Sequence, residues 1–211
     1  VYTLPPNQAT SPESQKKINK LRKQKPEYRD VKALILKKTR SLLRNLTPEQ
    51  INTINSIGKT AQLSSNPAHR TPQIESNSVQ LTVTSPPFLD VVQYSNDNWL
   101  RCWFNGIDDK VVAKSITMAR TVAEWQTEMS KVFAELFRIT KPGGFVAFEV
   151  GEVRKGTIKL DEHVVPVGLK AEFECLAILI NRQSFTKTAN IWGINNNTAG
   201  TNTNRIVLFR K

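Results

Sequence analysis

The run Phe145-Val146-Ala147-Phe148-Glu149-Val150 constrains the fold more than any other stretch of the chain. A near-continuous apolar segment of this kind suits a strand buried on both faces, which is the habit of parallel sheets flanked by helices. The pattern around it changes period as an α/β layer requires. Val79, Leu81 and Val83 alternate with Gln80, Thr82 and Thr84, which predicts a strand running straight into Ser85-Pro86-Pro87-Phe88. Met118, Val122, Trp125, Met129, Val132, Phe133 and Leu136 recur at three- and four-residue steps, which predicts a helix ended by Lys141-Pro142-Gly143-Gly144. After a charged connection from Glu152 to His163, a further helix is expected around Leu169 to Asn181. A strand near Thr186 to Trp192, a polar loop from Asn195 to Asn204 and a last strand from Arg205 to Arg210 complete the series. Strand, helix, strand, helix and closing hairpin amount to an α/β fold on a partly parallel sheet with right-handed crossovers.

With 211 residues, 39% of them apolar, the chain is long enough for one domain with a true core plus an appendage. The charge locates the appendage. Residues 1 to 46 carry twelve Lys and Arg against three acids, so +9 of the net +12 lies there on a body that is otherwise nearly neutral. Helices are expected from Ser14 to Lys25, closed by Pro26, and from Glu27 to Asn45, where Val31, Leu34, Ile35, Leu42 and Leu46 mark one face and basic residues the other. Thr47-Pro48-Glu49-Gln50 starts a third, short helix that Gly58 ends. The expected organisation is a basic helical extension or insertion over 1–58 and an α/β domain over 59–211. A basic face of this kind is either solvated exterior or a grip on a polyanion, and Lys32, Lys37, Arg40 and Arg44 are the candidate nucleic-acid contacts. No apolar run reaches the length of a membrane span and no signal peptide opens the chain, so a cytoplasmic protein is expected.

Several chemistries find no support. Cys102 and Cys175 lie in apolar surroundings with no second Cys or His at ligand spacing, and are read as reduced core residues. His69 and His163 also lack spaced partners, so no metal site is expected. The glycines fall at 58, 106, 143, 144, 151, 156, 168, 193 and 200, and no two are separated by a single residue, so there is no Gly-x-Gly loop of the usual phosphate- or dinucleotide-binding kind. Asp108-Asp109 reads as a helix start rather than a metal pair. Trp99 and Trp103 are expected in the core rather than, with Tyr94, in an aromatic platform for bases. Asn195, Asn196, Asn197 and Asn202 suit a plain polar loop or a reader of phosphates and base edges.

The strand that empties into Thr84-Ser85-Pro86-Pro87-Phe88 places that segment where open α/β sheets hold their ligands, beyond the carboxyl ends of the strands. Two successive prolines fix φ and remove two backbone donors, leaving an acceptor-rich edge followed by an aromatic face. Ser85-Pro86-Pro87-Phe88 in this setting resembles the catalytic motif of S-adenosylmethionine-dependent amino-methyltransferases acting on DNA bases. Its serine-first form is similar to that of enzymes methylating N4 of cytosine, whereas relatives acting on N6 of adenine more often begin with Asp or Asn. The helix ending in Lys141-Pro142-Gly143-Gly144 before a buried strand resembles the approach to the fifth strand of that family's sheet. The closing hairpin, with Ile191-Trp192-Gly193 and Thr201-Asn202-Thr203-Asn204-Arg205-Ile206, is similar to its last two strands, and Asp90-Val91-Val92-Gln93-Tyr94-Ser95-Asn96 to the loop leaving the motif. The resemblance covers roughly residues 60 to 211.

The resemblance implies a partial Rossmann-like (class I) methyltransferase sheet, double-stranded DNA as partner and S-adenosyl-L-methionine as cofactor. Within it Ser85 and the Pro86 carbonyl accept the hydrogens of an exocyclic amine, Pro87 stiffens the turn, and Phe88 stacks on a flipped base. Thr84, Asp90 and Tyr94 support the loop. Neither Cys follows a proline, which argues against methylation at C5 of cytosine. The family's glycine-rich cofactor turn and the strands that carry it do not precede the basic helices. The cofactor residues are therefore unassigned, and a second chain or a missing segment is expected to supply them. Ala61 to His69 is the candidate for a third strand, although Ser64-Ser65-Asn66 departs from the Gly-Asp pattern often found there. The alternatives are an adenine-N6 enzyme and a non-catalytic DNA-binding subunit or fragment of the same fold.

Overall fold

The computed structural model describes residues 10–25, 27–87, 89, 98–154, 157–182 and 203–211. The chain divides into two compact units, with the boundary between Ser65 and Asn66.

The first unit holds three helices, each started by its own chemistry. Helix α1 (Pro12–Leu21) is capped by the Ser11 side chain, and α2 (Val31–Leu43) by the Asp30 carboxylate, which accepts from the Lys32 and Ala33 amides. Helix α3 (Pro48–Thr60) opens on a reciprocal capping box between Thr47 and Gln50. It continues past Gly58, where the sequence suggests an end, because nothing lies within 4 Å of that position and a glycine in an exposed helix costs only about 1 kcal/mol. No residue of α2 or α3 is buried.

In the second unit, β1 (Val79–Thr84) is followed by the short helices α4 (Trp99–Phe104) and α5 (Asp109–Ser115) and the long helix α6 (Val122–Ile139). Strand β2 (Thr140–Val153) comes next, then β3 (Ile158–Lys159), α7 (Leu160–Lys170), β4 (Glu174–Arg182) and β5 (Thr203–Arg210). The strand order is β1-β2-β5-β4, with β3 paired to β2. Strands β1 and β2 run parallel, in register from Leu81 opposite Phe145 to Thr84 opposite Phe148, while β5 is antiparallel to both of its neighbours. This is the expected α/β arrangement, a parallel pair joined by a helical crossover and closed by an antiparallel strand pair.

The core lies between the sheet and one layer of helices. Trp125, Met129, Phe133, Leu136 and Ile139 of α6 and Leu160, Val164 and Val167 of α7 bury against Val146, Phe148 and Val150 of β2 and Val207 and Phe209 of β5. Phe133 stands at its centre, 4.9 Å from the Phe148 ring and 5.2 Å from that of Phe209. On the other face, Leu81 and Val83 of β1 are 55% and 74% exposed.

Several expectations need correction. Most of the helix expected around Leu169 to Asn181 is strand β4 (Glu174–Arg182), and the helix lies earlier, at Leu160–Lys170, beginning within the stretch read as a charged connection. Met118 precedes the crossover helix, which the Thr121 and Glu124 capping box starts at Val122. That helix stops at Ile139, so Lys141-Pro142-Gly143-Gly144 belongs to β2, where the left-handed φ of Gly143 and the close approach of the Val79 carbonyl to Gly144 mark an irregular strand entry. Residues 61–69 form no strand. The following segment is tied to α6 instead, through Thr71 bonding Glu135 and through Arg138 donating to the Thr71 and Ile74 carbonyls. Trp103 is 71% exposed, not a core residue. The strand expected near Thr186 to Trp192 lies outside the described residues.

Candidate functional site

Strand β1 delivers Thr84, half-buried and opposite Phe148, to the carboxyl edge of the sheet. There the chain leaves the ladder as Ser85-Pro86-Pro87, with Ser85 exposed and the two prolines half-buried. Neither proline offers an N–H, so the loop presents acceptors and is held by what other elements donate to it. One such donor is Trp125, 2% exposed, whose indole Nε1–H bonds the Pro87 carbonyl at 3.0 Å. Leu89, fully buried in the core cluster, pins the chain again two residues later.

The start of α6 fixes where Trp125 stands. The Glu124 carboxylate accepts from the Arg120 and Thr121 amides at 2.9 and 3.2 Å, and these bonds hold its carboxyl below the usual carboxylate range. Arg154, one residue beyond β2, donates to the Arg120 carbonyl at 3.0 Å and thereby ties that turn to the same edge of the sheet. Asp108 caps α5 by accepting from the Lys110 amide, the helix-start role expected of it.

A charged cluster that sequence reasoning missed lies where β2 ends and β5 begins. Arg205, 13% exposed in its side chain, donates to Glu152 through Nη2 at 2.6 Å and to Asp161 through Nη1 at 3.1 Å, and the paired Glu152 raises the guanidinium pKa further. Oδ1 of Asp161 is buried and makes no hydrogen bond among the described residues. The cluster joins β2, β5 and the first turn of α7, so it braces the carboxyl edge without including Ser85. The only signal in the sequence is that charged residues stand in otherwise apolar elements. An open depression of about 420 Å³ between Lys114–Ala119 and the first turns of α6 likewise includes none of the expected site residues.

Of the remaining expected residues, Lys32, Lys37 and Arg40 are exposed on α2 and Arg44 is exposed as its C-cap, all in the first unit. Phe88, Asp90, Tyr94, Asn196 and Asn202 lie outside the described residues. Cys102 is buried, and Cys175 is half-buried with its thiol pKa pushed up by burial; both are free thiols. No helix among the described residues is long and apolar enough to cross a membrane.

The class that this sheet and crossover define is a mixed α/β fold with a parallel strand pair joined through helices. No family model matches the chain, and no curated protein matches it. Solved structures do. A protein of Thermus thermophilus described as a DNA modification methylase, in complex with S-adenosyl-L-methionine, is 22% identical over 65% of this chain and 49% of its own, with a TM-score of 0.38. The cytosine-N4-specific PvuII DNA methyltransferase is 15% identical over 65% of this chain and 44% of its own, with a TM-score of 0.37. A SAM-dependent methyltransferase of Methanosarcina mazei is 10% identical over 79% of each chain, with a TM-score of 0.39. The match thus spans about half the length of the first two.

Proposed function

We propose that this chain is the base-binding, catalytic part of a site-specific DNA methyltransferase that methylates N4 of a cytosine flipped out of the duplex, as the modifying partner of a restriction system. The observation that carries this reading is the Ser85-Pro86-Pro87 segment at the carboxyl end of a parallel strand, whose two prolines offer no N–H and whose third residue is tied to a buried donor. An exocyclic amine is a poor nucleophile because its lone pair is delocalised into the ring. If the Ser85 side chain and the Pro86 carbonyl accept its two hydrogens, the nitrogen becomes more tetrahedral and the positive charge that develops on it is stabilised. Phe88 stacks on the flipped base, Thr84, Asp90 and Tyr94 support the loop, and Pro87 stiffens it. Lys32, Lys37, Arg40 and Arg44 grip phosphates, and Asn196 and Asn202 reach phosphates or base edges.

S-adenosyl-L-methionine supplies an electrophilic sulfonium methyl. The residues of this chain act on the acceptor amine, and none of them is assigned to the cofactor, since the sequence contains no Gly-x-Gly turn. A second chain or a further segment is proposed to carry that site. The side-by-side exposure of Leu81 and Val83 on the sheet face supports a covering partner and favours a second reading, a non-catalytic DNA-binding subunit. Calorimetry with S-adenosylmethionine, on the chain alone and with partner candidates, separates the two. The proposed enzyme binds in at least one condition and labels duplex DNA, and digestion yields N4-methylcytosine. N6-methyladenine among the digested nucleosides would move the assignment to adenine, and no binding under any condition would leave the subunit reading.

A further inference from the structure

Apolar periodicity counts Trp125 only as core volume, yet its ring carries a polar atom that the loop uses. Pro86 and Pro87 have no backbone N–H by which a neighbour could hold them, so hydrogen bonds from other elements reach these two residues only through their carbonyls. The donor comes from 38 residues away, the Trp125 indole at 3.0 Å, on a side chain that is 2% exposed. A buried indole N–H needs a partner, so the bond restrains both groups. Leu89, fully buried, holds the chain on the far side of residue 88. The donor itself is immobilised, because the Thr121 and Glu124 capping box sets the first turn of α6 and Arg154 ties the preceding carbonyl to the end of β2.

The geometry points to Trp125 as a positioning residue for the acceptor loop: its N–H sets the plane of the Pro87 carbonyl and, through two rigid prolines, the direction of the Pro86 carbonyl and the Ser85 side chain. Trp125 acts through the loop and not on the base. The inference rests on the proposed role of Ser85 and Pro86 as amine acceptors, and deepens it.

The test uses the full chain and has readouts that do not need activity. In the ¹H–¹⁵N spectrum, the Trp125 indole N–H is expected to exchange at least tenfold more slowly than that of Trp103, which is 71% exposed; equal rates overturn the proposal. Trp125→Phe keeps an aromatic ring in the core and removes the donor. It is expected to shift the Ser85 amide and Cβ resonances while leaving the β4–β5 hairpin unchanged, and unmoved Ser85 resonances overturn the proposal too. If that variant does not fold, benzothienylalanine at position 125 places sulfur where the N–H stands in a ring of the same shape and supplies the same comparison. In a methyl-transfer assay the variant is expected to lower kcat at least tenfold with KM for DNA within twofold, and a change confined to KM refutes positioning. If the unaltered protein transfers no methyl with any partner, the proposed function fails, while exchange and resonance data still decide the role of Trp125.

Discussion

Ser85 is exposed at a strand end, so removing its hydroxyl tests chemistry with little effect on stability. Ser85→Ala is expected to lower kcat for base methylation by about 10²–10³, the range seen when one charge-stabilising group is lost, at an unchanged thermal midpoint. Retained turnover would remove Ser85 from the mechanism. Gly168 shows the opposite sensitivity. A Cβ there would run into the Phe209 ring, which is fully buried and hemmed in by Phe133 and Phe173. Gly168→Ala should therefore cost about 2–3 kcal/mol of unfolding free energy in a urea titration, as overpacked cores do. The residue types of the loop were legible in the sequence because proline and serine have local meanings. The Trp125 N–H was not, since an apolar period registers volume and is blind to one polar atom whose partner is distant. The Arg205 cluster was hidden for the same reason: three charges far apart in the chain meet only once β2, β5 and α7 are assembled.

At the scale of elements, the segment entering β1 is stitched to the end of α6. Glu135 accepts from Arg138 and from both the amide and hydroxyl of Thr71, and these partners, Arg138 foremost, hold its pKa down to about 2 against burial. The carboxyl titrates lower folded than unfolded, so its contribution is complete above about pH 4.5 and fades as pH falls toward 2. With Arg138 a third exposed, the loss is on the order of 2 kcal/mol. Urea unfolding at pH 7 and pH 3 should show that decline in the parent chain and a shallower one in Glu135→Gln; parallel slopes would remove Glu135 as its source. The order of helix and strand was less legible from Leu160 to Arg182. Pro166 lies inside α7, a position that argues against a helix in sequence, and β4 is an edge strand whose run Leu176-Ala177-Ile178-Leu179-Ile180 lacks alternation, so its period suits a helix equally well. The alternating β1 and the stepped apolar residues of α6 left no such choice, and each takes the form its period predicts.

Across the whole molecule, charge and the proposed chemistry are divided. The basic excess lies on α1, α2 and their flanks, α2 having no buried residue, and the proposed acceptor loop lies in the α/β unit. If α2 grips phosphates, replacing Lys32, Lys37, Arg40 and Arg44 together by Gln should reduce the slope of log affinity against log salt by about 3.6, near 0.9 per lost phosphate contact. Fluorescence anisotropy on a duplex at a series of salt concentrations measures this, and an unchanged slope would assign those residues to solvated surface. The strand order carries a different consequence, one that concerns the order of synthesis. Strand β5, later in the chain than β2 and β4, is the strand that lies between them. During translation β2 and β4 emerge first and have no pairing between them until residues 203–210 clear the ribosome. Two apolar strand edges therefore wait, open to chaperones or to a neighbouring nascent chain, on a segment made after both.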